Sequence, residues 1–344
     1  MKTFSENETA HIPLEPVAAA EAGSRQLVFR SQAMRQVHAV AAQVAGSDAC
    51  VLIYGETGTG KELVARLIHQ LSRRKSHPFV PVNCGILQGE LFADKFFGHE
   101  AGAFTGATRP HKGAFELAGE GTLFLDEVGE IPQSNQTDFL RVLEERCFRR
   151  LGAQKDLPFQ ARIVAATNLS LAQMVQTGDF RADLFYRINV VPVSLPPLRS
   201  RTEDIPLLAG HCLELFRHCY HRPELVLHDE VLDLFRSYHW PGNVRELRNV
   251  LERLVLLAKE PVIRLEHIPQ DMLMHTPGWH ADAPAAETPQ PESWRLKDAV
   301  REAEIHAILR AFKQSGRHKG RTAELLGISP RTLRYKLTEY SLDI

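Results

Sequence analysis

Val51-Leu52-Ile53-Tyr54-Gly55-Glu56-Thr57-Gly58-Thr59-Gly60-Lys61-Glu62-Leu63-Val64 joins a short apolar run, a glycine-framed turn ending in lysine, and a helical pattern that continues through Leu67, Ile68 and Leu71. A strand entering such a turn and leaving as a helix is the context in which this spacing forms a phosphate-binding loop. Glycines let the backbone approach a phosphate, the exposed amides and helix N-terminus bind its charge, and Lys61 reaches the terminal phosphates. The reading assigns Gly55, Glu56, Thr57, Gly58, Thr59, Gly60, Lys61 and Glu62 to nucleotide binding. Glu62 stands where the general pattern has Ser or Thr to help hold magnesium, so the metal must lean on another group.

That group comes downstream, in Gly121-Thr122-Leu123-Phe124-Leu125-Asp126-Glu127. The run reads as a buried strand with two carboxylates at its carboxyl end, where parallel α/β sheets bind ligands. Asp126 would organise Mg2+ and Glu127 would activate the water that attacks ATP. Charge at the γ-phosphate also needs neutralising, and Arg181 and Arg187, in Phe180-Arg181-Ala182-Asp183-Leu184-Phe185-Tyr186-Arg187, are candidates to supply it from a neighbouring subunit. Between the two halves of the nucleotide site lies Gly102-Ala103-Phe104-Thr105-Gly106-Ala107, in which small residues frame one aromatic ring and one hydroxyl. This composition predicts a mobile loop that displays both groups.

From Leu27 to Leu198 short apolar runs (Val51 to Tyr54, Phe79 to Val82, Leu123 to Leu125, Ile163 to Ala166) alternate with helical patterns, which predicts an α/β domain with a largely parallel, buried sheet. Residues 1–26 carry no sustained period and read as a flexible tail. After Pro196-Pro197 the strands are expected to stop. Val244, Leu247, Val250, Leu251, Leu254 and Val255 form a helical stripe, so residues 199–270 read as a small all-helical domain. Residues 271–294, with Pro277, Pro284, Pro289 and Pro291 among Ala, Asp, Glu and Thr, read as a linker.

Residues 295–344 hold eleven Lys or Arg against six Asp or Glu, while the whole chain carries a formal charge of -1. A basic end on an acidic body points to nucleic acid as the partner of that end. It opens with a helix whose Ile305, Ile308, Leu309 and Phe312 are spaced for one face. Then Thr322 to Leu337 divides into helix, turn at Gly327, and helix, with Ser329 as N-cap and Pro330 at the first helical position. Leu333 and Leu337 can face inward, leaving Arg331, Thr332, Arg334, Tyr335 and Lys336 for phosphates and base edges of a major groove.

The amino terminus has no basic-then-apolar pattern and no apolar run reaches the length of a membrane span, so the chain is expected in the cytoplasm with no membrane partner. Five cysteines scattered through apolar segments are expected to be reduced thiols. His211, Cys212, His218, Cys219 and His221 crowd one segment, yet helical spacing gathers no clean four-ligand face from them.

Taken together, the hexad, the P-loop, the acidic strand end, the Arg181/Arg187 segment and Trp240-Pro241-Gly242-Asn243-Val244-Arg245-Glu246-Leu247 resemble the bacterial enhancer-binding proteins, the AAA+ activators of sigma-54 RNA polymerase. The resemblance covers residues 27 to 268 and extends to the carboxyl-terminal module, which resembles a Fis-type helix-turn-helix. It implies an α/β AAA+ ATPase core, a helical lid, and a ring, usually a hexamer, whose sites are shared between subunits. Within it Gly-Lys-Glu is usual, Asn83 couples Glu127 to the remodelling loop, and Thr167 and Asn168 form the first sensor. Arg187 is the trans-acting finger with Arg181 beside it, Arg245 is the second sensor, and the loop from Gly102 to Ala107 contacts sigma-54. Ala93-Asp94-Lys95-Phe96 departs from the family's more usual acidic and leucine-containing sequence. Many members carry a regulatory domain before the ATPase, where this sequence has a short tail, so control is expected from a separate regulatory protein or from the protein's own synthesis. A AAA+ remodeller or helicase that does not act on sigma-54 is the rival reading.

Overall fold

The computed structural model describes residues 10–12, 27–85, 89–274, 304–305, 308–309, 311–312, 315 and 318–340. The chain divides into two units, Met1–Trp279 and His280–Ile344. Most of the segment read as a linker, and most of that read as an amino-terminal tail, lies outside the described residues. Ala10–Ile12, inside the expected tail, form a strand antiparallel to Leu27–Phe29.

Five strands build the central sheet of the first unit. Their spatial order is Val191–Ser194, Val51–Tyr54, Arg162–Thr167, Thr122–Asp126 and Phe79–Asn83, and every neighbouring pair is parallel. Alternation along each strand divides the core between the two faces of the sheet. Val51, Ile53, Phe124, Val164, Ala166 and Val193 pack on one face, under helices Gln32–Ala45 and Lys61–Leu71. Leu52, Leu123, Leu125, Ile163 and Ala165 pack on the other, under helices Glu90–Phe97, Gln133–Glu145 and Ala182–Ile188. Phe92, Phe96, Phe115 and Phe139 meet there ring to ring at centroid separations of 4.7 to 5.7 Å. Burying apolar side chains on both faces explains why these strands read as continuous apolar runs.

Parallel pairing brings the carboxyl ends of the strands to one edge, with Asn83 beside Asp126 and Thr167 beside Tyr54. The P-loop, the acidic pair and Thr167 therefore come together at one edge of the sheet.

The second layer of the unit is the lid, whose core gathers Leu213, Phe235, Trp240, Leu247, Leu251 and Val255. Trp240 is fully buried and its Nε1–H donates to the Phe235 carbonyl at 2.7 Å, so its one polar atom is satisfied inside the core. The lid is not all-helical, as the sequence led us to expect: Val226–Leu227 and Val262–Ile263 pair as two short parallel strands. Strands of two residues are too short to show a period. Met272 and Leu273 also pack on the lid core, so its apolar cluster runs past residue 270. Fully buried Asp204 accepts from the Arg30 N–H at 2.5 Å, the Ser31 N–H at 2.7 Å and the Ser31 hydroxyl at 2.7 Å, which ties the start of the lid to the core. Among the described residues no helix is long and apolar enough to cross a membrane.

The second unit buries Ile308, Ala323, Leu333 and Leu337 together. Helices Lys319–Leu325 and Pro330–Glu339 flank Gly327, which has the left-handed φ of 64° that the turn requires. Ser329 caps the second helix by accepting from the Thr332 N–H at 3.1 Å. Leu309, expected on the inner face, is exposed; among the described residues of this segment the buried ones are Ile308 and Ala311, one helical turn apart.

Candidate functional site

A cleft between the P-loop and the lid holds a cavity of about 500 Å³, lined by Thr57, Gly58, Gly60, Lys61, Glu62, Asp126, Glu127, Arg245 and Arg248 among others. The loop is shaped by Gly58 and Gly60 at φ 81° and 103°, values that favour glycine. Lys61 opens helix Lys61–Leu71, and its ammonium donates to the Gly55 carbonyl at 2.9 Å while standing 3.6 Å from Glu127 Oε1. Thr59 turns its hydroxyl inward onto the Glu56 carbonyl at 2.8 Å. Glu62 pairs with Arg66 one turn along the helix, at 2.6 Å.

Asp126 ends its strand and Glu127 follows it in a left-handed conformation, φ 53°. A non-glycine residue held there is strained, a state that clusters at functional sites. Asp126 Oδ1 accepts from the Glu127 N–H at 3.1 Å. Burial lifts the Asp126 carboxyl above its ordinary range, the neighbouring Glu127 carboxylate adds to the rise, and the Lys61 ammonium opposes it. A partly buried carboxylate with a second beside it is electrostatically short of cations, and the donors are hard oxygens. This set fits a divalent ion such as Mg2+ that takes one or two carboxylates and completes its shell with phosphate and water.

Thr167 is fully buried and its carbonyl accepts from the Gly55 N–H at 3.2 Å. Asn168 bridges the two halves of the site: its N–H reaches Glu127 Oε2 at 3.4 Å and its side-chain amide the Thr57 hydroxyl at 3.3 Å. Asn83 lies beside Asp126 in the sheet, but its side-chain oxygen accepts from the Gly85 N–H at 2.8 Å. That bond closes a local turn after the strand.

Arg181 and Arg187 do not meet the P-loop of their own chain. Arg187 donates to the Leu143 carbonyl at 2.9 Å and lines a cavity with Asp48, Ala49 and Cys50, the residues that lead into strand Val51–Tyr54 at the end opposite the P-loop. Arg181 is exposed and paired with Asp183 at 2.7 Å. Arg245 is the third residue of helix Asn243–Leu257, and its N–H and that of Val244 donate to the Gly58 carbonyl at 3.3 and 3.0 Å.

The hexad caps a hairpin whose strands Gly98–His99 and His111–Lys112 are antiparallel. The Gly102 N–H donates to the Ala107 carbonyl at 2.7 Å and the Ala107 N–H to the Phe104 carbonyl at 3.0 Å. Gly102 and Gly106 take φ 86° and 104°. Phe104, Thr105 and Gly106 are exposed, Ala103 is half-buried against Gly152, and Ala107 is buried. The Phe104 ring stands edge-on to His99 at 4.9 Å, and His99 Nδ1 lies 2.6 Å from Asp94. Asp94 belongs to the segment that departs from the family's usual sequence, so that departure reaches the base of the hairpin.

In the second unit Arg331, Thr332, Arg334 and Tyr335 are exposed along helix Pro330–Glu339, as expected. Lys336 differs. It is half-buried and its ammonium pairs with Glu304, which also accepts from the Tyr340 hydroxyl. An acidic side chain on the opening helical segment of the unit draws it inward.

The sequence reading missed Asn243, Arg199 and Arg201. Arg199 grips the Glu56 carboxylate with both terminal nitrogens, at 2.8 and 2.6 Å, and this pairing holds the carboxyl far below the usual range, at about 2. Buried Arg201 donates to the Thr59 carbonyl at 2.9 Å. Two arginines immediately after Pro196-Pro197-Leu198 are the visible signal, but nothing in their spacing names a partner in the P-loop.

A phosphate-binding loop closed by a mainly helical lid defines the class as a P-loop ATPase of AAA+ architecture. A family model described as the sigma-54 interaction domain matches residues 27–194, an AAA+ ATPase lid domain matches 199–285, and a bacterial regulatory protein model of the Fis family matches 299–340. The regulatory protein AtoC of Escherichia coli K12 is 44% identical over 92% of this chain and 68% of its own length. The transcriptional regulator NtrC of Azospirillum brasilense is 39% identical over 96% and 72%. The transcriptional activator HyfR of Escherichia coli K12 is 48% identical over 74% of this chain, which spans 38% of HyfR. Crystal structures of NtrX from Brucella abortus with ADP and with ATP superpose with a TM-score of 0.71 at 31% and 32% identity, covering 93% and 92% of this chain and 70% and 69% of NtrX. The chain belongs to the sigma-54-dependent transcription activators, with an AAA+ ATPase domain and a Fis-type DNA-binding helix-turn-helix.

Proposed function

We propose that this protein, in the cytoplasm, binds upstream DNA through residues 295–344 and uses hydrolysis of ATP with Mg2+ to remodel the closed complex of sigma-54 RNA polymerase into an open one. The observation that carries this reading is that one folded unit holds both a P-loop cleft with an acidic pair and a separate hairpin displaying Phe104 and Thr105. Similarity to NtrX, which was crystallised with ADP and with ATP, supports the choice of nucleotide.

Lys61 would hold the β- and γ-phosphates and Asp126 the metal, which supplies charge neutralisation to the phosphates when bound. Glu127 would take the proton of the attacking water; the contact from the Asn168 N–H orients its carboxylate. Arg187, exposed at the far end of its own P-loop strand and held there by the Leu143 carbonyl, would serve the site of an adjacent subunit, with Arg181 beside it. That geometry favours a ring, and the family resemblance favours six subunits.

Mixing subunits tests these roles. Glu127→Gln alone should bind ATP while hydrolysis falls about a hundredfold or more, because positioned general bases contribute at least that much. Arg187→Ala should be similarly slow. Mixed rings of the two variants assemble some interfaces with Glu127 on one side and Arg187 on the other, and ATP turnover should partly return. Absence of any recovery in mixed rings of verified stoichiometry would reject the shared site.

A further inference from the structure

Asn243 joins three segments through one side chain. It is fully buried, and its backbone is left-handed at φ 53°. Its amide donates to Glu56 Oε2 and to the Thr57 carbonyl, both at 3.1 Å, and its oxygen accepts from the Leu198 N–H at 2.7 Å. The P-loop, the connector from core to lid, and the lid helix that carries Arg245 therefore converge on this residue. Arg199 holds the other side of the Glu56 carboxylate. Contact between lid and P-loop is direct as well, since a Cβ on Gly58 would stand 2.2 Å from the Gly242 carbonyl oxygen.

A left-handed backbone at a non-glycine residue persists only where its surroundings over-determine it. Glycine would adopt the same backbone at no steric cost, so the conformation alone does not call for asparagine. The side-chain bonds do. A buried amide whose two donors and one oxygen are all engaged fixes register more firmly than apolar contact, because slippage would leave polar groups unpaired.

We propose that Asn243 is a positioning residue for nucleotide binding, which acts through Glu56 and the first turn of the lid helix to hold Arg245 and Arg248 at a fixed distance from the P-loop. The role rests on the reading of the cleft as the ATP site. Without the amide, the lid wall of the cavity loosens, while the P-loop and Lys61 remain on the core.

Asn243→Gly removes the side chain and keeps the backbone. KM for ATP should rise about tenfold, about 1.4 kcal/mol, which is the net worth of one or two hydrogen bonds. The Kd for ADP, measured by calorimetry, should rise in parallel, and kcat should change less than about threefold. Partial unfolding would lower the concentration of active sites but leave KM and Kd where they were. Asn243→Asp sets a carboxylate against Glu56 and should weaken binding further; adding Glu56→Gln exchanges donor and acceptor and should recover at least about threefold of that loss. An Asn243→Gly protein with KM and Kd within about twofold of wild type, or a double variant no better than Asn243→Asp, would overturn the proposal. Lys61→Ala is the control. If it binds ADP like wild type, the cleft is not the nucleotide site and both readings fall; if it loses ADP while Asn243→Gly does not, only the role of Asn243 falls.

Discussion

Asp126 illustrates the conflict between stability and function at a single residue. Burial first, and the Glu127 carboxylate second, raise its carboxyl above the ordinary range. A carboxyl raised in the folded state is a net stabiliser only in acid, below its unfolded value; as pH rises through the folded value that contribution is lost and the ionised group opposes folding. Removing the charge should therefore help the apoprotein near neutral pH. In metal-free buffer Asp126→Asn should melt higher than wild type, with the gap closing as pH falls towards about 4, while ATP turnover drops about a hundredfold or more. Calorimetric melts across that range would contradict the account if the variant were the less stable protein at neutral pH. Lys61, Asp126 and Glu127 were legible in the sequence because strand, turn and charge fall in contiguous runs, whereas Thr167 and Asn168 came only from the family resemblance; the fold brings all five to the same edge of the sheet. Asn243 and Arg199 were not legible, since their common partner Glu56 lies 187 and 143 positions away. Only folding reveals that pairing.

At the scale of elements, long periodic patterns were the readable ones. The stripe on helix Asn243–Leu257 emerged with Leu247, Leu251, Leu254 and Val255 buried. The two-residue strands of the lid were invisible, because a ladder of that length leaves no alternation to detect. Helix Pro330–Glu339 shows the limit from the other side: four-residue spacing correctly sent Leu333 and Leu337 inward but could not foresee that Glu304 would claim Lys336. The consequence is measurable. Arg334→Ala, at an exposed position, should reduce the slope of log affinity for DNA against log salt by about 1, the loss of one phosphate contact. Lys336→Met should leave the slope unchanged and lower the melting temperature of the DNA-binding unit. Equal losses of slope from both substitutions would place Lys336 on the phosphate backbone and contradict the pairing with Glu304.

For the molecule as a whole, the account depends on separating a site that consumes ATP from a surface that uses the energy. The nucleotide cleft sits at the carboxyl edge of the sheet, between core and lid, whereas the hexad caps a hairpin built after Phe97 and packed beside Gly152. Neither Phe104 nor Thr105 lines the cleft. A remodeller of some other target would need the cleft but not this hairpin sequence. The most direct measurement is open-complex formation at a sigma-54 promoter by purified polymerase with Thr105→Ala, beside ATP turnover and upstream DNA binding of the same preparation. The account predicts that turnover stays within about twofold of wild type, since no phosphate or metal contact is lost, that DNA is still bound, and that open complex is absent. Wild-type levels of open complex from Thr105→Ala would contradict the claim that this loop delivers the work of hydrolysis to sigma-54.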